Sequence, residues 1–340
     1  MKSKVIIIAE AGVNHDGKLE QALQLVDAAA KAGADYIKFQ VFNPSKLVSS
    51  TAAKAAYQAA NTGKPEESQF EMLKSLAMGF DEFKLINEYC KEKQIGFLSS
   101  GFDKESILFI DGLGVDYHKI PSGEITNLPM LQLIGSLGRH ILLSTGMATL
   151  YEIELALNIL LQSGSSLNNI TVLQCTTEYP APFEEVNLNA MLTIHDAFNV
   201  NVGYSDHTPG IIIPIAAAAL GACVIEKHFT LDRNLPGPDH KASLEPEEME
   251  QMVDAIRKIE IALGDGIKVP GKTEQQNITI ARRSIHLNKK VNKGHILTLQ
   301  DLEMKRPGTG ISPMLINEVT GRAVAVDLNE DTLLKWEHLQ

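Results

Sequence analysis

Two histidines close strand-like runs in this sequence. His207 ends Val202-Gly-Tyr-Ser-Asp-His207, and His228 ends Val224-Ile-Glu-Lys-His228 about twenty residues on. Short β-branched runs of this kind read as buried parallel strands. If the two are neighbours in one sheet, both imidazoles emerge at its carboxyl-terminal edge, where α/β folds place their chemistry. A pair of neutral imidazoles suits a divalent metal. The plainer reading is two satisfied polar residues at strand ends, and spacing alone leaves both open.

Other reactive groups fall at the ends of similar runs: Glu10; Lys38 and Gln40; Ser99 and Ser100; Lys119, Ser122 and Glu124; Ser144 and Thr145; Thr176, Thr177 and Tyr179; Ser205 and Asp206; Glu226. A lysine on an inner strand is costly to bury unless its charge finds a partner. A phosphate or carboxylate ligand would pair well with Lys38 and Lys119. An internal ion pair with Glu10 or Glu124 would serve equally, and both alternatives stand.

These groups need strands to carry them, and strand and helix signals alternate about eight times. The strand candidates are Val5–Ala9, Tyr36–Gln40, Gly96–Ser100, Tyr117–Pro121, Ile141–Ser144, Ile170–Gln174, Val200–Tyr204 and Cys223–Lys227. Helices between them have legible ends. Lys18–Lys31 carries Leu19, Ala22, Leu23 and Val26 at helical spacing, with Asp16 placed to cap its start and Gly33 its finish. Thr149 and Glu152 stand at capping-box spacing before Ile153, Leu157, Leu160 and Leu161. The pattern predicts an α/β fold, a (β/α)8 barrel over residues 1–263.

Residues 43–80, with Gly63 and Pro65 among them, exceed what one crossover helix requires and predict a lid or extra helix near the substrate. The Gly/Pro-rich start of residues 264–280 reads as a linker. Residues 281–340, with short alternating runs at Ser284–Leu287 and Ala323–Val326, read as a small β-rich domain.

A chain of 340 residues with 44% hydrophobic residues can bury a substantial core, yet it has no apolar run long enough to span a membrane. The lysine-bearing start leads at once into Val5–Ala9, too short for a signal peptide's apolar region, so the expected location is the cytoplasm. Cys90, Cys175 and Cys223 are odd in number and widely spaced, which leaves neither a disulfide framework nor a four-cysteine zinc site. With 31 basic against 42 acidic residues, the net charge of −11 argues against nucleic acid as a partner. An anionic substrate must then be held by local lysines or arginines.

Glu10-Ala-Gly-Val-Asn-His-Asp-Gly17, Ile37-Lys-Phe-Gln40, Lys119-Ile-Pro-Ser-Gly-Glu124, Leu143-Ser-Thr-Gly-Met147, Cys175-Thr-Thr-Glu-Tyr-Pro180, Tyr204-Ser-Asp-His207, Ile225-Glu-Lys-His-Phe229 and Pro236-Gly-Pro-Asp239 occur in order over nearly the whole chain. Together they resemble the sialic acid synthases, which condense phosphoenolpyruvate with an N-acylated mannosamine-type sugar. Lys289-Lys-Val-Asn-Lys-Gly294 and Lys305-Arg-Pro-Gly-Thr-Gly310 resemble that family's antifreeze-like (SAF) domain.

The resemblance implies a division of labour. Lys38 and Lys119, with Ser100, Ser122, Ser205 and Thr177, would hold phosphoenolpyruvate. Gln40, Glu124, Tyr179 and Asp239 match sugar-side or supporting positions, and Glu10 would position or deprotonate water or a sugar hydroxyl. His207 and His228 would carry a divalent metal, Mn²⁺ foremost with Mg²⁺ or Co²⁺ as alternatives, in a shell completed by oxygen. Asp206, Glu226 and Lys227 would be supporting residues. Arg306 would reach the partner subunit's active site, implying a domain-swapped homodimer. Two departures stand out: Ser100-Gly101 replaces a Thr-Pro, and Thr177 replaces an Asn found in some relatives. Two acceptors stay open, N-acetylmannosamine giving N-acetylneuraminate and 2,4-diacetamido-2,4,6-trideoxymannose giving diacetyllegionaminate, with the Cys175 run closer to the second.

Two further readings remain. Lys119 on a barrel strand could serve a Schiff-base aldolase, although paired histidines count against it. A non-catalytic binding protein using the C-terminal domain is the other, and Lys289, Lys290 and Lys293 make a flat apolar binding face a poor fit.

Overall fold

The structure is a computed structural model that describes residues 4–62 and 66–340; Gly63 and Pro65, and the lysine at position 2, lie outside the described residues. The chain divides into two compact units, with the boundary between Asp265 and Gly266.

In the first unit eight parallel strands close into a barrel in sequence order: β1 (Ile6–Gly12), β2 (Tyr36–Val41), β3 (Gly96–Gly101), β4 (Tyr117–Ile120), β5 (His140–Ser144), β6 (Ile170–Cys175), β7 (Asn201–Asp206) and β8 (Val224–His228). Side chains alternate across each strand, so every strand serves two environments. Ile7, Ile37, Phe39, Ile141, Val172 and Ile225 belong to the large core that includes the surrounding helices. Ile8, Leu98, Leu142, Leu173 and Val224 form a separate cluster, with Tyr36 and Tyr117 packed against it, and plug the barrel interior. Gly203 stands at this level opposite Leu173 in register. A Cβ there would lie 2.5 Å from the Val224 carbonyl and 2.6 Å from Leu173, so only glycine lets β7 pass the plug.

Helix Leu19–Lys31 buries Ala22, Leu25, Val26 and Ala29 and is followed by Gly33 at φ +80°. Asp16 does not cap it: its carboxylate accepts from Gln21 Nε2 at 2.8 Å and contacts His240 Nε2 at 3.1 Å, and Lys18 occupies the cap position without a side-chain bond. Thr149 and Glu152 do form the reciprocal capping box. The long interval after β2 contains three short helices, Pro44–Leu47, Ala56–Thr62 and Gln69–Leu76.

In the second unit, helix Lys272–Ala281 occupies most of the stretch read as linker. Strands β9 (Ser284–Leu287) and β10 (Leu302–Lys305) pair antiparallel over a small core that includes Ile285, Leu287, Leu297, Val319 and Leu334. Residues 323–326 contribute isolated bridges rather than a strand. Among the described residues, no helix is long and apolar enough to cross a membrane.

Candidate active site

Two residues beyond the apolar plug, the same face of the barrel turns polar. Ile8 gives way to Glu10, Tyr36 to Lys38, Leu98 to Ser100, Tyr117 to Lys119, Leu142 to Ser144, Leu173 to Cys175 and Val224 to Glu226. Strand register sets these side by side: Glu10 pairs with Lys38 and with His228, Ser100 with Lys119, and Ser205 with Glu226. They line a cavity of about 320 Å³ at the carboxyl ends of the strands.

The cavity gathers Glu10, Lys38, Gln40, Ser100, Lys119, Ser122, Thr177, Tyr179, Ser205, His207, His228 and Asp239. Glu124 stands apart from it. Pro121 ends β4, the chain coils through Ser122–Glu124, and the Glu124 carboxylate accepts from Asn127 Nδ2 at 2.6 Å as the next helix begins. Arg306 belongs to the second unit, where its Nε donates to the Ala281 carbonyl at 3.0 Å.

The lysines are paired internally, chiefly through a residue the sequence reading left in a supporting role. Lys119 Nζ donates to both Glu226 oxygens at 2.8 and 2.9 Å. Lys38 Nζ lies 3.2 Å from Glu226 and 3.1 Å from Glu10. Glu226 also accepts from Ser205 Oγ at 3.3 Å. Its role was readable, since Glu226 and His228 share the parity of one strand face whereas Lys227 takes the other. Lys227 instead bonds Asp206 at 2.5 Å, both fully buried, and the carbonyl of Thr208, tying together the residues that flank the two imidazoles.

Burial would raise Glu226, but the Lys119 and Lys38 ammonium groups outweigh it and hold the carboxyl well below its ordinary range. Burial likewise opposes the charge on Lys38, yet Glu10 and Glu226 leave it above its usual value. Lys119, with Lys38 as a like-charged neighbour, is lowered by burial against the pull of Glu226. Glu10 goes the other way: burial pushes it up to about 7 against Lys38, with Glu226 adding repulsion. In the cavity Glu226 is thus firmly ionised, Glu10 changes protonation near neutrality, and burial raises Asp239 to about 6.

His207 and His228 have ring centroids 5.4 Å apart. Burial lowers His207 to about 4 and His228 well below its ordinary value, so both rings are neutral near pH 7. The carbonyl of Thr176, 2.5 Å from His207 Nδ1, can only accept, so the proton sits on Nδ1 and the Nε2 lone pair is free. Among the described residues that line the cavity, His228 Nδ1, Glu10 Oε2, Ser100 Oγ and Ser144 Oγ are buried without a hydrogen-bond partner. Buried polar atoms are ordinarily satisfied, so these orphans await a ligand. Ser144 was named among the strand-end groups but given no ligand role, and Glu226 was given only a supporting one. No group of three His, Cys, Asp or Glu side chains converges as a metal cage among the described residues. Two neutral imidazoles therefore fit an ion only if oxygen ligands complete its shell.

Residues 25–268 match the NeuB family and residues 282–340 the SAF domain. N,N'-diacetyllegionaminic acid synthase of Campylobacter jejuni is 52% identical over 98% of this chain and 99% of its own length. The enzyme of the same name from Legionella pneumophila is 47% identical, covering 98% and 94%. The crystal structure of N-acetylneuraminic acid synthetase from Leptospira borgpetersenii in complex with citrate superposes with a TM-score of 0.71 at 36% identity, covering 81% of this chain and 90% of that one.

Proposed function

The chain belongs to the NeuB family, and on that premise we propose that it condenses phosphoenolpyruvate with an N-acylated mannosamine-type aldehyde to give a nonulosonic acid and phosphate. The acceptor we assign is 2,4-diacetamido-2,4,6-trideoxymannose, the product N,N'-diacetyllegionaminate, on the strength of the two relatives of that name. The observation that supports the reaction class is one cavity holding both a buried lysine pair and a pair of neutral imidazoles.

Phosphoenolpyruvate carries up to about three negative charges and draws Lys38 and Lys119 away from Glu226 and Glu10. Ser100 and Ser144 have hydroxyls without protein partners and donate to its phosphate or carboxylate. His207 and His228 would hold a divalent ion, Mn²⁺ by preference with Mg²⁺ or Co²⁺ as substitutes, which when bound would supply Lewis-acid polarisation of the acceptor carbonyl. The enol C3 attacks the aldehyde carbon, leaving a cation at C2 and a negative oxygen; that oxygen ends with the proton that Glu10 takes from water in the next step, and the second water proton leaves with phosphate. Water adds at C2 and gives its proton to Glu10, whose carboxyl titrates near neutrality. The tetrahedral carbon then expels phosphate with C–O cleavage, leaving the keto acid. The assembly we assign is a homodimer in which Arg306 of one copy serves the partner's sugar. A mixture of Arg306→Ala and Glu10→Gln chains, each poorly active alone, should then regain turnover.

Phosphate release measured with each sugar tests the reaction. Turnover is expected with the diacetamido sugar, lost in EDTA and restored by Mn²⁺, and reduced roughly 10²–10³-fold in His207→Ala or His228→Ala. Full turnover in EDTA overturns the metal assignment, and no phosphate release with any sugar overturns the synthase. The Schiff-base alternative needs Lys119 as a free amine, whereas both Glu226 oxygens hold its Nζ. Borohydride with pyruvate should trap no adduct.

A further inference from the structure

The cavity wall has more than one origin. Glu10, Lys38, Lys119 and Glu226 come from the strands, and a third carboxyl, Asp239, from the loop after β8. Another part comes from the interval between β2 and β3: Tyr57 and Gln58 from helix Ala56–Thr62, and Met72, Leu73 and Leu76 from helix Gln69–Leu76. Among the described residues, those that line the cavity from this interval bear no charge, and Lys38 and Lys119 are the only lysines or arginines in the lining. An anionic group is therefore served by the strands and a neutral, amide- and methyl-bearing one by the interval.

Helix Ala56–Thr62 is anchored over the site rather than loosely laid on it. The Tyr57 ring stacks on Tyr179 with centroids 4.9 Å apart at 29°, and Tyr179 in turn packs on His207 at 4.1 Å and edge-on to His228 at 5.4 Å. Asn61 Nδ2 donates to the Pro238 carbonyl at 2.7 Å, joining the helix to the loop that carries Asp239. Lys54 Nζ contacts Thr62 Oγ1 at 3.2 Å and Glu67 at 3.0 Å, drawing the two ends of the helical excursion together. A run of rings thus leads from the imidazole pair through Tyr179 to Tyr57. A sugar with its aldehyde at the imidazoles and lying along this run of rings would have its far end at Tyr57 and its neighbour Gln58. Burial, with Asp239 nearby, outweighs a hydrogen bond with Gln58 and raises the Tyr57 phenol well above its ordinary value, so it stays neutral; Gln58 Oε1 also accepts from Ala55 N at 3.1 Å.

We propose that Tyr57 and Gln58 recognise the acceptor's acylamino substituent remote from the aldehyde, so that this helix, not the barrel, selects among sugars; the assignment rests on the synthase reading above. An acetamido group offers a methyl to an aromatic face and an amide to hydrogen-bonding side chains, and Tyr57 and Gln58 supply both. A sugar with a hydroxyl there leaves the glutamine amide poorly matched, which is where discrimination between otherwise similar substrates arises.

Steady-state kinetics on the full chain, with phosphate release as readout and unfolding checked by circular dichroism, tests it. In Tyr57→Ala the KM for the diacetamido sugar is expected to rise about tenfold or more, and its kcat/KM advantage over N-acetylmannosamine to shrink by a similar factor. The KM for phosphoenolpyruvate should stay within about twofold, because that substrate never meets the helix. An unchanged preference ratio, or an equal rise in both KM values, overturns the inference. Should Tyr57→Ala fail to fold, Gln58→Glu keeps an oxygen to accept from Ala55 N, 3.1 Å from Gln58 Oε1, while removing the amide donor, and decides the same point by the same ratio. A wild-type chain inactive with every sugar would sink the synthase itself; an active wild type with an unmoved ratio in the variant sinks only this assignment.

Discussion

From Ile8 to Glu10, or from Val224 to Glu226, the chain climbs two residues, about 6.6 Å, on one face of one strand. The lower level is an apolar plug and the upper one a ring of ionised groups, both buried. The lower level holds itself together, since each apolar side chain gains about 1.5–3 kcal/mol by leaving water whatever its neighbours do. The upper level is conditional: Lys38, Lys119, Glu10 and Glu226 are tolerated only because each offsets another's desolvation. Partners held by mutual compensation can be exchanged for an anion of similar charge, which packed methyl groups cannot. The barrel floor thus supplies rigidity, and the level above it supplies chemistry.

The strongest way to break that contrast is Glu226→Gln. It leaves Lys119 without its bidentate carboxylate and Lys38 with Glu10 alone. Leaving buried charge uncompensated is expected to cost about 3–5 kcal/mol by urea unfolding, and phosphate release should fall roughly 10²–10³-fold. Turnover near that of the wild type would mean that Glu226 is merely a structural counter-ion.

How much of this was readable in the sequence depended on how local the signal was. The eight strands were legible because buried parallel strands are β-branched runs bounded by turn residues, and the lysines and histidines fell at their ends. The Asp16 cap failed because its carboxylate serves His240, far away in the chain. Glu124 was matched to the site through the family resemblance alone; past Pro121 its carboxylate accepts from Asn127 and is not among the cavity-lining residues. Helix Lys272–Ala281 was hidden because it buries none of its residues and so shows no apolar face. The length of the 43–80 interval announced an excursion; the stacking of Tyr57 on Tyr179 is a tertiary fact that spacing could not supply.

A subtler probe sharpens the contrast through pH. Glu10 titrates near 7. As pH rises through that value its carboxyl ionises, holds Lys38 more firmly and repels the trianionic donor; below it the neutral acid releases the lysine. Phosphoenolpyruvate affinity in the wild type, taken relative to Glu10→Gln at each pH, should therefore weaken by up to about tenfold between pH 6 and 8. Calorimetric titration without the acceptor reads this directly, and using the ratio cancels the donor's own ionisation. A flat ratio would place the Glu10 proton outside donor binding.

The smallest effect on turnover is expected from the floor, although its effect on stability is large. Leu142 is buried in the plug among Ile8, Leu98, Leu173 and Val224, and Ser144 stands two residues above it on β5. Leu142→Ala removes packed atoms and leaves a partly collapsed cavity, costing about 2–5 kcal/mol in urea unfolding. None of the ion pairs above involves Leu142, so kcat and both KM values of the folded enzyme at 25 °C should stay within about twofold. If kcat fell instead as far as in Glu226→Gln while circular dichroism showed an intact fold, the floor would be setting the geometry of the charged ring. Two levels of one strand would then have to be treated as a single catalytic unit.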